Sequence, residues 1–261
     1  MLTIREYKKA ESLEEAYTLN QKKSNRVIGG MIWLKMETLN VGTAIDLSGL
    51  GLDTIEETDT EFRIGAMASL RALELHEGLA AYTNGAMRES VRHIVGVQLR
   101  NLATVGGSLY SRFGFSDVLT MFLVLDARVE LYKGGIVPLS EYAERPKDRD
   151  ILVRIIIKKD GRKIAYRSHR EAATDFPVIA CAVANKDDQW YVSVGARSGK
   201  AKLQVRQAQI ENAETFTKEV IAGYTFSSNM RGSEVYRRHL AEVYTKRAVE
   251  EILAKNSEKG A

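Results

Sequence analysis

The chain has 261 residues, of which 44% are hydrophobic and 28% are charged, as in an ordinary soluble globular protein. The net charge is only +4 and no basic stripe is interleaved with aromatic residues, so nucleic-acid binding is not expected. The start has no apolar signal core and no stretch approaches the ~20 apolar residues that span a bilayer, so we expect a cytoplasmic protein without a membrane span.

The first segment, residues 1–51, has the pattern of strands around one helix. Residues 3–8 alternate as in an edge strand, and a capping box formed by Ser12 and Glu15 predicts a helix up to about residue 23. Short strands are predicted at 27–28 and 43–47. No G-x-G-x-x-G sequence occurs in the chain, which disfavours the common dinucleotide fold with that fingerprint.

The second segment, residues 52–160, mixes short strands and helices. Ser69 and Ser116 are predicted to cap helices, and apolar residues spaced three and four apart predict another helix over 80–95. Residues 138–149 are polar and are expected to form a loop. The strands predicted here are 54–57 and 61–64 as a hairpin, 128–132, and 151–158.

The third segment, residues 161–261, favours an antiparallel sheet followed by helices. Strands are predicted at 163–168, 176–185 and 190–196, and helices at 215–222 and 234–254. The last six residues are expected to fray. We predict a domain boundary near residue 160, since strand 151–158 closes the preceding segment.

Two glycine pairs, Gly29-Gly30 and Gly106-Gly107, are the most informative local features. Each follows a short apolar, β-branched run, as in a loop that leaves a strand. Glycine allows another group to approach the backbone closely, and successive N–H groups in such a turn form a cradle for an anion. Two cradles could bind both halves of a diphosphate, which points to a dinucleotide ligand.

Residues that could bind a metal are sparse. A single cysteine, Cys181, lies in an apolar run, where a buried and unreactive thiol is expected. One cysteine cannot hold an iron–sulfur cluster, which takes four ligands. The four histidines are scattered without metal-ligand spacing, so no metal site is predicted.

These motifs resemble the FAD-binding (medium) subunits of molybdenum hydroxylases, the family that includes xanthine dehydrogenase and aerobic carbon monoxide dehydrogenase. The two flavin motifs of that family are similar to Ile28-Gly-Gly-Met-Ile-Trp-Leu34 and Arg100-Asn-Leu-Ala-Thr-Val-Gly-Gly-Ser108. Asp117 follows Thr104 at the family's spacing. The stretch from Tyr166 to Asp175 and the C-terminal helix also resemble family landmarks, so the resemblance runs nearly end to end.

The resemblance implies an α+β fold. A two-part PCMH-type FAD-binding domain would cover residues 1–160, with subdomains at about 1–51 and 52–160. A smaller α+β domain of the carbon monoxide dehydrogenase flavoprotein type, with an antiparallel sheet plus helices, would cover 161–261. It also implies an oxidoreductase subunit that passes electrons from 2Fe–2S clusters through FAD to NAD or another acceptor. The clusters and the molybdopterin would lie only in partner subunits, a small and a large one.

The resemblance also implies which residues bind FAD, while none needs to be catalytic. The diphosphate would be bound by backbone N–H groups of both motifs and by the hydroxyls of Thr104 and Ser108. Asp117 would accept a hydrogen bond from a ribityl or ribose hydroxyl. Leu152 lies where the family has a backbone contact to the adenine or flavin region of FAD. Arg167 lies where relatives usually have a Lys that faces the flavin. The predicted FAD-binding residues are Ile28, Gly29, Gly30, Met31, Ile32, Trp33, Thr104, Gly106, Gly107, Ser108, Asp117, Leu152 and Arg167.

Two departures from the family pattern leave other functions open. In the first motif, Met31-Ile32-Trp33 replaces a more polar Thr-Asp-Leu, so binding there would rely on the backbone. In the second motif, Ser108 replaces the usual Asn or Asp, which shortens a contact. One alternative is a self-contained flavin oxidoreductase of the same superfamily, although neither a substrate domain nor a proton donor is evident in the third segment. The other is a scaffold subunit that has lost FAD.

Overall fold

The computed structural model describes residues 1–257. Of the six residues expected to fray, 256 and 257 still belong to the last helix and the other four lie outside the described residues. The strands are β1 (Thr3–Lys9), β2 (Arg26–Ile28), β3 (Asn40–Asp46), β4 (Ile55–Glu57), β5 (Glu61–Gly65), β6 (Arg128–Leu131), β7 (Gly135–Pro138), β8 (Leu152–Lys158), β9 (Lys163–His169), β10 (Ile179–Lys186), β11 (Gln189–Gly195) and β12 (Lys202–Gln207). The α-helices are α1 (Leu13–Asn20), α2 (Leu70–Leu75), α3 (Glu77–Tyr82), α4 (Ala86–Arg92), α5 (Val97–Leu102), α6 (Val105–Ser111), α7 (Asp117–Val124), α8 (Leu139–Glu144), α9 (Ala213–Ala222) and α10 (Glu234–Ser257).

The chain divides into two compact units. The first comprises residues 1–72, 97–111 and 127–157, and the second comprises 73–96, 112–126 and the chain from 158 on. Both units combine helices with sheets, and antiparallel pairing occurs in each, as the predicted α+β class requires. The predicted domain boundary near residue 160 stays a prediction.

The first unit contains two sheets. One has three parallel strands in the order β1-β3-β2, and the other has five strands in the order β4-β5-β8-β6-β7. Helix α1 begins as predicted, because the Ser12 hydroxyl accepts from the Glu15 N–H at 3.1 Å. A core that includes Ala16, Ile45 and Ile151 joins α1, β3 and the start of β8.

The second unit is built on an antiparallel sheet in the order β12-β11-β10-β9, of which β9, β10 and β11 correspond to the three predicted strands. Helices α9 and α10 cover one face, where Trp190, Phe216 and Ile252 belong to one buried cluster. Cys181 lies in this cluster, and burial raises the pKa of its thiol to about 12, so the expectation of a buried thiol is confirmed.

Two local predictions are wrong. The helix expected over 80–95 is divided into α3 and α4, because Asn84 and Gly85 have φ of 49° and 81°. The buried Thr83 hydroxyl stabilises this break by donating to the Leu79 carbonyl and accepting from the Met87 N–H. The loop expected over 138–149 begins instead with helix α8, whose buried Leu139 and Tyr142 provide the apolar contacts of a helix.

No helix among residues 1–257 combines the length and the apolar character needed to cross a bilayer.

Candidate functional site

The first glycine pair forms the predicted turn after a strand. Strand β2 ends at Ile28, and Gly29 and Gly30 bring the chain against residues 102–104. A Cβ on Gly30 would lie 1.9 Å from the Leu102 carbonyl oxygen, and one on Gly29 would lie 2.7 Å from Thr104 Oγ1. Because atoms cannot approach that closely, both positions need glycine for packing inside the first unit.

The residues after this pair are half-buried and form a turn. Met31 has φ of 60°, and its carbonyl accepts from the Lys35 N–H at 3.1 Å, so the chain enters a short 3-10 turn. Within residues 1–257, the N–H groups of Gly30, Met31 and Ile32 have no hydrogen-bond acceptor. Successive amides around a left-handed residue form an anion-binding concavity. The predicted backbone cradle is therefore chemically feasible here.

The second glycine pair differs from its prediction, because Gly106 and Gly107 lie in helix α6 rather than in a loop after a strand. The apolar run before them is helix α5, and Thr104 only forms an isolated bridge to Ser69. Four amides are bonded inside the first unit: Val105 to the Ala68 carbonyl, Gly106 to the Ala66 carbonyl, Gly107 to Thr104 Oγ1, and Ser108 to the Thr104 carbonyl. The predicted loop is therefore wrong, while a contact of this motif with FAD stays a prediction.

Thr104 links the two motifs. Its side-chain oxygen accepts from the Gly107 N–H at 3.1 Å, and Cβ atoms built on Gly29 and Gly107 would lie 2.7 Å and 2.9 Å from it. Thr104 is itself buried, whereas both glycines are exposed. A side chain at either glycine would crowd this hydroxyl. The two motifs thus meet around one hydroxyl, next to the free amides of the first turn, and this set fits a phosphate-bearing ligand.

The other predicted residues of the first unit have different surroundings. Gly106 is buried, and a Cβ there would lie 2.7 Å from the Ala66 carbonyl oxygen, which gives it a packing role. The Ser108 hydroxyl donates to the Thr104 carbonyl at 2.9 Å. Leu152 is buried at the start of β8, paired with Leu131 where the register of β6 shifts. Contacts of these residues to a cofactor stay predictions.

Asp117 lies in the second unit, at the first residue of α7, whose predicted cap is confirmed because Ser116 Oγ accepts from the Leu119 N–H. The carboxylate is buried and takes two donors: the Tyr166 hydroxyl to Oδ1 at 2.5 Å, and Arg170 Nη2 to Oδ2 at 2.6 Å. Burial raises the pKa of Asp117 to about 6, although both donors act to lower it.

Arg167 is not brought to Asp117. Adjacent residues of a strand point to opposite faces, so Tyr166 contacts Asp117 of α7 while Arg167 pairs with Glu251 of α10. The side chain of Arg167 is 40% exposed. Its predicted approach to the flavin stays a prediction.

Sequence reasoning missed the roles of Tyr166 and Arg170, although both lie in the stretch that carried the family resemblance. Tyr166 and Ser168 in β9 and Arg170, the residue just after it, are spaced two apart, and a period of two places such residues on one face. That pattern could have identified them as partners for a carboxylate.

The comparisons with known proteins agree over most of the chain. The model of the family described as the FAD binding domain in molybdopterin dehydrogenase matches residues 3–159. Uncharacterized protein YgfM of Escherichia coli strain K12 is 28% identical over 247 residues, covering 92% of this chain and 93% of that protein. The putative xanthine dehydrogenase FAD-binding subunit XdhB of the same strain is 23% identical over 221 residues, covering 75% of each. A chain of quinoline 2-oxidoreductase from Pseudomonas putida 86 has the same fold, with a TM-score of 0.83 at 18% identity, covering 95% of this chain and 96% of that one.

Proposed function

Because the chain belongs to the family of FAD-binding domains of molybdopterin dehydrogenases, we propose that it passes electrons from the iron–sulfur clusters of a partner subunit, through FAD, to NAD or another acceptor. The observation that carries this proposal is that the two glycine motifs meet around the Thr104 hydroxyl, beside three amides that have no acceptor in the part of the chain that the structure describes. FAD supplies the redox chemistry, and the protein supplies binding and orientation.

The binding roles follow from the donors that remain free. The N–H groups of Gly30, Met31 and Ile32 would donate to phosphate oxygens, because charge-assisted hydrogen bonds to backbone amides are strong. The Thr104 hydroxyl accepts from Gly107 and keeps its own hydrogen for a phosphate oxygen. Exposed Gly29 and Gly107 keep the approach to this hydroxyl open.

Two partner subunits follow from the composition and the family. With Cys181 as its single cysteine, the chain cannot hold a 2Fe–2S cluster, so a small subunit would carry the clusters. A large subunit would carry molybdopterin and oxidise the substrate. Purification of the native complex should yield all three chains together, with NAD reduction on addition of the substrate. Isolation of this chain without partners from cells that express all three would contradict this part of the proposal.

The FAD site is tested by substitution at Gly30. The full chain is mixed with FAD, separated from free FAD by gel filtration, and inspected for the visible absorbance of oxidised flavin. Gly30→Ala should abolish retention, because the new Cβ would collide with the Leu102 carbonyl oxygen and displace the turn. Gly51→Ala is the matched control in the same unit: its φ is 66°, so it is strained, but its Cβ would meet no atom within 4 Å. Unaltered protein that stays colourless would refute the site.

A scaffold without FAD is the second candidate, and one observation favours it. The amides of residues 105–108 are bonded inside the first unit, so only one of the two predicted cradles has free donors. Under this alternative, Gly30→Ala and Gly51→Ala would lower stability and no variant would bind FAD. Retention of flavin by the unaltered chain excludes it.

A further inference from the structure

A cleft opens in the first unit toward the amino ends of the parallel strands β1 and β3. Its volume is about 450 Å³, within the range of roughly 300–1,000 Å³ that is typical of small-molecule sites. The residues that line this amino-end cleft come from β1, from the start of β3 and from the turn before β2, and they include Arg5, Glu6, Lys22, Ser24, Asn40 and Gly42.

The amino-end cleft is separate from the turn of the first glycine pair. Strands β1, β3 and β2 run parallel, so their amino ends share one edge of the sheet and their carboxyl ends share the other. Gly29 follows Ile28, the last residue of β2, which pairs with Asp46 at the end of β3. Gly42 precedes Asp46 by about 13 Å along the same strand. The cleft therefore lies toward the opposite edge of the sheet from the turn proposed to bind FAD.

The turn that forms one wall of the cleft is held in place by the protein itself. The Gly42 N–H donates to the Ser24 carbonyl at 2.8 Å, and the Thr43 N–H donates to Oδ1 of buried Asn25 at 3.0 Å. A Cβ on Gly42 would lie 2.7 Å from Ser24 Oγ, so glycine permits this close approach. Arg149 also donates to the Asn25 carbonyl at 2.9 Å. The cleft is therefore formed before any ligand binds.

Two cations that line the cleft have no counter-ion in the part of the chain that the structure describes. The side chains of Arg5 and Lys22 have neither a hydrogen-bond acceptor nor a carboxylate within reach among residues 1–257. Other cations of the same unit are paired: Arg63 lies 2.6 Å from a Glu61 oxygen, and Lys8 lies 3.2 Å from a Glu11 oxygen. A cleft with uncompensated positive charge attracts anions.

The other polar groups of the cleft are acceptors. Glu6 Oε2 accepts from the Thr43 hydroxyl at 3.0 Å, which leaves the second carboxylate oxygen free. Ser24 Oγ donates to Asn25 Oδ1 at 3.2 Å and keeps lone pairs of its own. Both groups suit a hydroxyl donor, whereas an anionic group beside Glu6 would be repelled. The ligand should therefore carry its negative charge at one end and hydroxyl groups at the other.

We propose that the amino-end cleft binds a small phosphate monoester that also carries hydroxyl groups, such as a sugar phosphate. Arg5 and Lys22 bind the phosphate, whose charge of about −1.5 to −2 at pH 7 matches two cations. The planar guanidinium of Arg5 can donate to two phosphate oxygens at once, while Glu6 and Ser24 accept from hydroxyl groups. FAD contains no phosphate monoester, so this ligand differs from the cofactor and the inference does not rest on the proposed function.

Replacement of the two cations tests the inference, with ribose 5-phosphate as the probe. The full chain is titrated by calorimetry in the presence of excess FAD, so that a site for FAD is already filled. Arg5→Gln and Lys22→Gln should each weaken binding of ribose 5-phosphate roughly tenfold or more, because each removes a charge-assisted hydrogen bond. Both side chains are exposed, so the variants should unfold at the urea midpoint of the unaltered protein.

Lys23→Gln is the matched control, because Lys23 is exposed, is adjacent to Lys22 in the sequence and lies outside the lining of the cleft. It removes the same charge and should leave the affinity for ribose 5-phosphate unchanged. Equal weakening by Lys23→Gln would indicate diffuse attraction by the surface and would overturn the inference. Unaltered protein that does not bind ribose 5-phosphate, or full affinity in both Arg5→Gln and Lys22→Gln, would also overturn it.

Three further probes test the chemical class of the ligand on the unaltered protein. Ribose, which lacks the phosphate, and methyl phosphate, which lacks the hydroxyl groups, should each bind roughly tenfold more weakly than ribose 5-phosphate. Equal binding of either one would overturn the corresponding half of the proposal, and tighter binding of citrate would replace phosphate by carboxylate. FAD retention should be the same in Arg5→Gln as in the unaltered protein. Absence of FAD binding in every variant would refute the proposed function and leave this inference standing.

Discussion

Replacement of Thr104 by valine separates the two roles of its hydroxyl. The side chains have nearly the same shape, so packing in this buried position is largely kept. The hydroxyl accepts from the Gly107 N–H, three residues on, as a helix-capping residue does for α6. Loss of such a cap destabilises by about 1 kcal/mol, and Gly107 is exposed, so water can bond its freed N–H.

The expected effect on FAD is larger. The Thr104 hydroxyl hydrogen would donate to a phosphate oxygen, and a hydrogen bond to a charged group contributes about 1.5–3 kcal/mol, which corresponds to roughly a 10- to 100-fold change in affinity. Stability would be measured by urea unfolding without FAD, and affinity by fluorescence titration with FAD. Thr104→Ser, which keeps the hydroxyl, is the matched control and should bind FAD with the affinity of the unaltered protein. A valine variant that loses about 1 kcal/mol of stability and still binds FAD at full affinity would refute a phosphate contact at this hydroxyl.

Three further predictions concern the second unit. Tyr166→Phe should lower the free energy of unfolding by about 1–2 kcal/mol and raise the pKa of Asp117 further, because the carboxylate loses a hydrogen-bond donor. Urea unfolding measures the first effect and chemical-shift titration the second. An unchanged pKa of Asp117 would contradict the prediction. The pKa of Asp117 is raised from about 3.8 in the unfolded chain to about 6 in the folded one, so its contribution to the free energy of unfolding is fully present below about pH 3.8 and is lost as the pH rises through about 6. Over that window, urea unfolding should show the unaltered protein losing roughly 3 kcal/mol of stability relative to Asp117→Asn. Parallel pH profiles of the two proteins would exclude the shift. Gly195→Ala should lower the thermal midpoint, because its Cβ would lie 2.0 Å from Thr120 Oγ1, and adding Thr120→Ala should restore part of the loss; no rescue would place the strain elsewhere.

The elements that sequence predicted well are those with a local physical signal. Ser12, Ser69 and Ser116 each cap a helix as expected, because the side-chain oxygen and the amide it accepts from are only three residues apart. The strands around Cys181 were likewise evident from their apolar, β-branched runs. Signals of this kind depend mainly on neighbours in the chain, so a single sequence reveals them.

The failures arise where tertiary contacts decide the backbone. Gly106 and Gly107 resemble the first pair in composition, yet they lie in a helix because residues 103–105 pair with the segment around Ser69 and the amides that follow find acceptors there. The glycines are needed for close approach to Ala66 and Thr104, which a single sequence does not reveal. Glycine thus permits close packing in both motifs, whereas the residues that follow the first pair keep amides without an acceptor among residues 1–257.

The surroundings of Asp117 depend on residues that lie far from it in the sequence. Its helix start was predicted from the chain, but its partners lie about fifty residues later: Tyr166 in β9, and Arg170 just after that strand. Because Tyr166 and Arg167 face opposite sides of that strand, the cation expected from the family pattern lies on the side of Glu251, and Arg170 provides the cation that reaches the carboxylate. The alternation of side chains therefore decides that Arg170, and not Arg167, forms the ion pair with Asp117.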